Sequence, residues 1–413
     1  MKIREVLFAP GKSAFFFDDQ RAIKKGALHD GFVYQGGPVT GGFRRVREAG
    51  ESISILLVLE DGRVAVGDCA AVQYSGAGGR DPLFKADAYI PVLERELKPR
   101  LEGAEVRPFR DMTAALADLE SGPGRLHTAL RYGISQALLD ARAVALGKPG
   151  CEVLCDEYGL PRIYERVPIF GQTGDSRHDN VDKMILKEVD ALPHGLINNV
   201  DEKLGRNGEK LRDYIRWIVD RVRKLRLRPD YLPVIHIDVY GTIGLLYDGD
   251  PLKTAEYLAG LESDAGPHEL YIEGPVDMEG KDEQIRALGR IRERLRVLGS
   301  RVKIVADEWC NTLEDIREFT DAGCCHMVQI KTPDLGGIQN TVESVLYCRA
   351  RGMEAYQGGT CNETEISARA CVHAAMAARP ARMLAKPGMG LDEGFTIVNN
   401  EMERIIALGR RRQ

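Results

Sequence analysis

The chain has 413 residues, 44% apolar and 29% charged, with 57 basic against 62 acidic side chains and a formal net charge of −5. That balance belongs to a soluble globular protein of two or three domains and excludes general disorder or a collagen-like chain. A near-balanced, slightly acidic surface argues against nucleic acid or anionic membrane as the main partner. No apolar run is long enough to span a bilayer, and the opening MKIREVLFAP does not read as a secretory signal. The nine cysteines include no C-x-x-C and no zinc-finger spacing, so they read as reduced thiols of a cytoplasmic protein, mostly small buried residues.

In chain order, residues 10–42 are rich in Gly, Pro and aromatics, and 53–70 (ISILLVLEDGRVAVGDCA) predict two strands turning at Asp61-Gly62. Helical patterns follow over 83–97, about 108–120 and 126–146, the last ended by Gly147 and Pro149. Residues 1–160 therefore read as an α+β domain with strands first. From about residue 165 the rhythm changes. Short apolar runs at 167–170, 195–198, 234–238, 270–273, 302–307, 327–331, 353–356 and 382–385 alternate with amphipathic stretches such as 209–226, 282–297 and 337–350. The run at 195–198 is the weakest of these. Strand–helix alternation over roughly 250 residues predicts a closed (β/α)8 barrel in 161–413. An open doubly wound sheet would want a Gly-rich phosphate turn after its first strand, and the FGQTG at 170–174 is not that fingerprint.

Three predicted strands end on carboxylates: Asp238, Glu273 and Asp307, spaced by 35 and 34 residues, one β/α unit each. A barrel delivers such residues to one C-terminal rim. A lone Asp at a strand end is often only a helix cap, but three converging acids would repel one another, and a hard divalent cation such as Mg²⁺ resolves that. Lys331 ends the next strand and shares a face with Gln329. Taken alone it is a surface lysine or a partner of Asp307. With three acids upstream it reads as a general base, with a pKa expected to be depressed by a nearby cation. His194 lies where the second barrel strand is expected. A lone His is more often structural, but a place opposite Lys331 makes it a candidate second acid/base. His236 shares a face with Asp238 and reads as a deeper barrel residue. Of two Gly-rich stretches, 75–80 and 358–364, neither has a P-loop or dinucleotide pattern. The second follows a strand and precedes a helix, where backbone N–H groups suit a substrate carboxylate.

Acid, acid, acid and lysine on successive strands is the pattern of the enolase superfamily. Longer strings carry a closer likeness: FDDQRAIKKGA from Phe17, DCAAVQYSGAGGRDPLF from Asp68, HIDVYGTIG from His236, DEWCNT from Asp307, QIKTPDLGG from Gln329, GGTCNET from Gly358 and LAKPGMG from Leu384. With these the whole chain resembles the methylaspartate ammonia-lyase family. The resemblance implies a capping domain on a TIM-like barrel, and reversible α,β-elimination of ammonia from L-threo-3-methylaspartate to mesaconate, a step of glutamate degradation. It implies Mg²⁺ on Asp238, Glu273 and Asp307, K⁺ as activator, and a homodimer. Lys331 matches the base for the C3 proton, and His194 the residue on the opposite face. Gln329 matches a contact to the metal-bound carboxylate, and Gln172, Thr360 and Cys361 the groups on the other carboxylate. Gln73 and Leu384 match the wall near the amine and alkyl group. The residues alone leave open another enolase-superfamily enzyme, an acid-sugar dehydratase or cycloisomerase. A lysine pair or His-Asp pair is the usual mark of those, and strand two has no K-x-K. A non-catalytic metal-binding scaffold is the remaining alternative.

Overall fold

The computed structural model describes residues 1–76, 80–120 and 124–411. The chain opens with β1 (Ile3–Asp18), the two-residue strands β2 (His29–Asp30) and β3 (Val33–Tyr34), then β4 (Arg47–Leu59) and β5 (Val64–Cys69). β1, β4 and β5 form an antiparallel sheet in that order. The turn at Asp61-Gly62 closes the β4–β5 hairpin, as expected: Leu59 N–H donates to Arg63 O (2.8 Å), and Gly62 takes φ +87°, a region that favours glycine. Helix Thr128–Leu146 packs on this sheet, backbone against backbone. A Cβ at Gly67 would stand 2.3 Å from Ala137 N, and one at Gly133 2.6 Å from Cys69 N, so both positions require glycine. The predicted helix at 83–97 is observed as Ala86–Glu96. That at 108–120 stops at Ala115, because the chain then tightens into three-residue turns (Ala117 N to Ala114 O, 3.2 Å) and bridges Glu120 to Arg125.

Eight parallel strands then close into a barrel: β6 (Ile169–Phe170), β7 (Ala191–His194), β8 (Val234–Asp238), β9 (Leu270–Glu273), β10 (Lys303–Ala306), β11 (Met327–Ile330), β12 (Glu354–Gln357) and β13 (Arg382–Leu384). Their largely apolar sequences, with polar residues mainly at the strand ends, suit strands covered on both faces. One expected strand moves. The second strand is Ala191–His194 rather than 195–198, with Ala191 to His194 paired to Val234 to Ile237. The chain leaves the sheet after His194, whose φ of +67° turns it away from extended geometry. The interior is filled. Phe170, Tyr271, Val305, Met327, Tyr356 and Leu384 pack together, and His236 stacks on Phe170 with ring centres 4.2 Å apart. At the N-terminal end Lys303 Nζ lies 2.6 Å from Tyr271 Oη and 2.8 Å from Glu354 Oε1, and the Arg382 guanidinium covers the Tyr271 ring at 4.2 Å. These side chains fill the floor of the barrel, which is a well rather than a pore.

The N-terminal part is stitched to the other end. Ser13 Oγ donates to Asn362 Oδ1 (2.8 Å), Asn362 Nδ2 to Phe16 O (2.9 Å) and Thr364 Oγ1 to Asp68 Oδ2 (2.6 Å). Arg80 Nε reaches Asp334 Oδ2 at 3.1 Å. All nine cysteines are free and buried.

Candidate active site

Asp238 and Glu273 are the last residues of β8 and β9 and stand directly opposite each other in register; Asp307 follows β10. One carboxylate oxygen from each lies within 4.8 Å of the others, and all three side chains are buried. Burial, reinforced by the Asp307 charge, pushes Asp238 well above the usual carboxylate range; burial and the Asp238 and Asp307 charges do the same to Glu273. The chain thus gathers negative charge in a dry place. Some support comes from below and beside. Tyr356 Oη (2.6 Å) and Gln329 Nε2 (2.9 Å) donate to Glu273 Oε1, His236 Nε2 lies 2.9 Å from Glu273 Oε2, and Tyr240 N–H donates to Asp238 Oδ1 (3.0 Å). His236 is fully buried in the barrel, the deeper position expected of it.

Lys331 Nζ sits 2.7 Å from Asp307 Oδ1. Its expected pKa depression is not found in the chain alone. Burial works in that direction, but the charges of Asp307 and Glu308 outweigh it and hold the ammonium above the ordinary lysine value. In the chain alone the ammonium is thus the counter-ion of the acids. From four strands away, His194 Nε2 comes within 3.7 Å of Asp238 Oδ2. Burial pushes His194 down to about 4, so its ring is neutral at pH 7, and Nδ1 has no hydrogen-bond partner among the described residues.

The remaining candidates sit in three loops and two strands. Gln329 is on β11, beside Glu273. Gln172, just past β6, donates to Gly388 O (2.6 Å) and Ala385 O (3.3 Å). Thr360 and Cys361 lie in the turn after β12. A Cβ at Gly358 would stand 2.8 Å from Gln329 Cγ and one at Gly359 2.5 Å from Lys386 Nζ, so the GGT string has room only for glycine. Leu384 ends β13 inside the well, 5% exposed. Gln73 arrives from the N-terminal part, with its Oε1 accepting from Cys361 Sγ at 3.5 Å. Of the other Gly-rich stretch, residues 77–79 lie outside the described residues.

Several residues here carried no expectation. Tyr356 gave no signal beyond a place in a barrel strand. Asp18, Glu363 and Lys386 sit inside conspicuous strings and Arg47 outside them, and spacing alone does not show that they meet. Lys386, fully buried, donates to Thr332 Oγ1 (2.7 Å), Gly358 O (2.7 Å) and Glu363 Oε1 (2.9 Å), fastening the glycine turn from beneath.

Family models match the chain along nearly its full length: "Methylaspartate ammonia-lyase N-terminus" over residues 1–159 and "Methylaspartate ammonia-lyase C-terminus" over 162–411. The chain belongs to the methylaspartate ammonia-lyase family. As a member of that family it is an enzyme, a carbon–nitrogen lyase. The crystal structure of the Citrobacter amalonaticus methylaspartate ammonia-lyase, which contains (2S,3S)-3-methylaspartic acid, is 64% identical, covers 99% of this chain and 100% of that one, and superposes with a TM-score of 0.98. The Mg complex of Clostridium tetanomorphum β-methylaspartase is 56% identical over 100% of both chains, with a TM-score of 0.97. Muconate cycloisomerase from Pseudomonas fluorescens, 16% identical with a TM-score of 0.60 over 96% of this chain and 88% of its own, shares the fold. Among the described residues no helix is long and apolar enough to cross a membrane.

Proposed function

We propose that this lyase removes ammonia from L-threo-3-methylaspartate to give mesaconate, reversibly, with residues 161–413 as the catalytic barrel and residues 1–160 as its cap. One observation carries the reading: a lysine and a neutral histidine, four strands apart, flank one buried three-carboxylate cluster. The donor set fits Mg²⁺. Three buried carboxylates whose mutual repulsion Lys331 relieves only in part make a hard, oxygen-only site, and Asp238, Glu273 and Asp307 would hold the ion. Bound there, it would supply Lewis-acid stabilisation for the charge that builds on a substrate carboxylate, and a positive charge that frees Lys331 from its role as counter-ion.

The chain's own residues do the rest. Lys331 takes the proton from C3, next to the carboxylate. His194, neutral, donates a hydrogen bond from the other face and serves as base for the epimer whose proton points its way. Gln329 steadies the same carboxylate. Gln172, Thr360 and Cys361 hold the second, and Gln73 and Leu384 bound the amine and the alkyl group. The cap excludes water from a site where charge develops. The family resemblance also supports K⁺ as activator, a homodimer, and a cytoplasmic place in glutamate degradation; K⁺ titration and solution mass test the first two.

The deciding experiment adds methylaspartate to the purified chain and follows ultraviolet absorbance of a conjugated dicarboxylate. Absorbance that rises with Mg²⁺ and stops on chelation is expected. No product from any 3-substituted aspartate overturns the substrate, and near-normal turnover after exhaustive chelation overturns the metal.

A further inference from the structure

Gln73 is held at two points by one residue. Asp18 N–H donates to Gln73 O (3.1 Å), and Gln73 Nε2 donates to Asp18 Oδ2 (2.7 Å). Asp18 ends β1 and pairs in register with Arg47 on β4. Arg47 grips its carboxylate with both arms of the fork, Nε to Oδ1 and Nη2 to Oδ2, each 2.7 Å. The guanidinium is itself fixed. It donates to Phe32 O (2.9 Å) and lies within 5.6 Å of the Phe15, Phe32 and Tyr34 ring centres. Asp18 is 1% exposed, so water competes little for its carboxylate.

A carboxylate only accepts hydrogen bonds, whereas a primary amide carries both a donor and an acceptor end. The nitrogen of Gln73 must therefore face Asp18, and its oxygen must face away, toward Cys361, whose thiol donates to it. An amide oxygen accepts from an ammonium or ammonia N–H; an amide NH2 in the same place opposes one. We infer that Asp18, clamped by Arg47, is a positioning residue that sets the Gln73 amide oxygen-outward to receive the amine of the substrate. The inference rests on the placement of Gln73 at the amine side of the site.

The test runs the reaction in the direction of ammonia addition, with KM for ammonia and KM for mesaconate each measured at saturating co-substrate. The proteins are wild type, Asp18→Asn, Gln73→Ala and the double variant. In Asp18→Asn the new amide keeps its oxygen on Arg47 and turns its NH2 to Gln73, so the Gln73 amide flips. KM for ammonia is expected to rise about three- to tenfold, the range of one neutral hydrogen bond. KM for mesaconate is expected to stay within about twofold. On the Gln73→Ala background Asp18→Asn is expected to change neither. Arg47→Lys keeps the charge but loses the fork. It is expected to move KM for ammonia the same way, and it carries the comparison if Asp18→Asn does not fold. A rise in both KM values together, or an ammonia effect that persists undiminished without the Gln73 amide, overturns the inference while leaving Gln73 in place. If Gln73→Ala alone leaves KM for ammonia unchanged, the placement of Gln73 falls and the inference falls with it.

Discussion

A proton on a tetrahedral carbon faces one side of a site, and Lys331 and His194 stand on strands four apart around the same acids. Geometry comes before pKa in choosing a base. Lys331→Ala should therefore cut elimination from the threo substrate by about 10²–10⁴-fold, with activity on the erythro epimer surviving better. His194→Ala should show the opposite bias. Steady-state rates on both purified epimers check this, and equal losses on both in both variants would mean that the two act as one unit. Leu384 lies against Phe170 and Tyr356 in the well, so Leu384→Ala opens space beside the alkyl group. We expect activity on bulkier 3-alkyl substrates, read from a substrate panel; loss on methylaspartate with no gain elsewhere would remove Leu384 from the wall. The meeting of the three acids was legible at the level of single residues, because each ends an apolar run at a one-unit spacing. What was not legible is charge balance. The pairing of Lys331 with Asp307 is one of the two plain readings of that lysine in the sequence, but that Asp307 and Glu308 together outweigh its burial depends on how the strands bring them together and cannot be read from spacing.

At the scale of elements, the turn after β12 is shaped from below. Lys386, from the segment after β13, reaches Gly358 O and the Glu363 carboxylate with no exposure to water, and Tyr132 of the N-terminal part adds a hydrogen bond to Glu363 Oε2 (2.9 Å). Breaking such a pair from one side leaves a buried charge alone. Lys386→Met should cost about 3–5 kcal/mol in urea unfolding, and Lys386→Met with Glu363→Gln less than that. If the double variant is the less stable of the two, the buried charge is not what matters. The same scale shows why one strand was misplaced. Ala191–His194 contains Pro193, which reads as a strand breaker, while the following Gly-Leu-Ile-Asn looks more apolar. The ladder accepts the proline because Pro193 contributes its carbonyl, to Thr173 N at 3.1 Å. The two-residue β6 and three-residue β13 were legible only as members of a series.

Over the whole molecule, the closing helix Asp392–Arg410 is clamped to helix Glu365–Ala378 through Glu401, which meets Arg369 at 2.9 Å and His373 at 3.5 Å. Burial alone would raise the Glu401 pKa, but His373 and Arg369 overcome it and hold the carboxyl down to about 2. A depressed folded value gives stability that is fully present above the ordinary glutamate range and is lost as pH falls toward 2. Glu401→Gln should therefore lower the melting temperature at pH 7, and the gap to wild type should close between about pH 5 and pH 2. A gap that is constant with pH would assign the loss to packing. The barrel class itself was legible from alternation and length, since eight buried parallel strands leave an unmistakable rhythm. The stitching of β1 to the rim was not, because Ser13 and Asn362 are 349 residues apart and neither stands out.

The filled floor built from Lys303, Tyr271, Glu354 and Arg382 has a kinetic meaning. A barrel filled at that end leaves its other rim for arrival and departure, and there the strand that carries Asp18 is bonded to the turn after β12. In the proposed reaction, dicarboxylate and ammonia both cross that rim. Whatever narrows that rim is expected to slow elimination and addition alike, because a reaction and its reverse follow the same path.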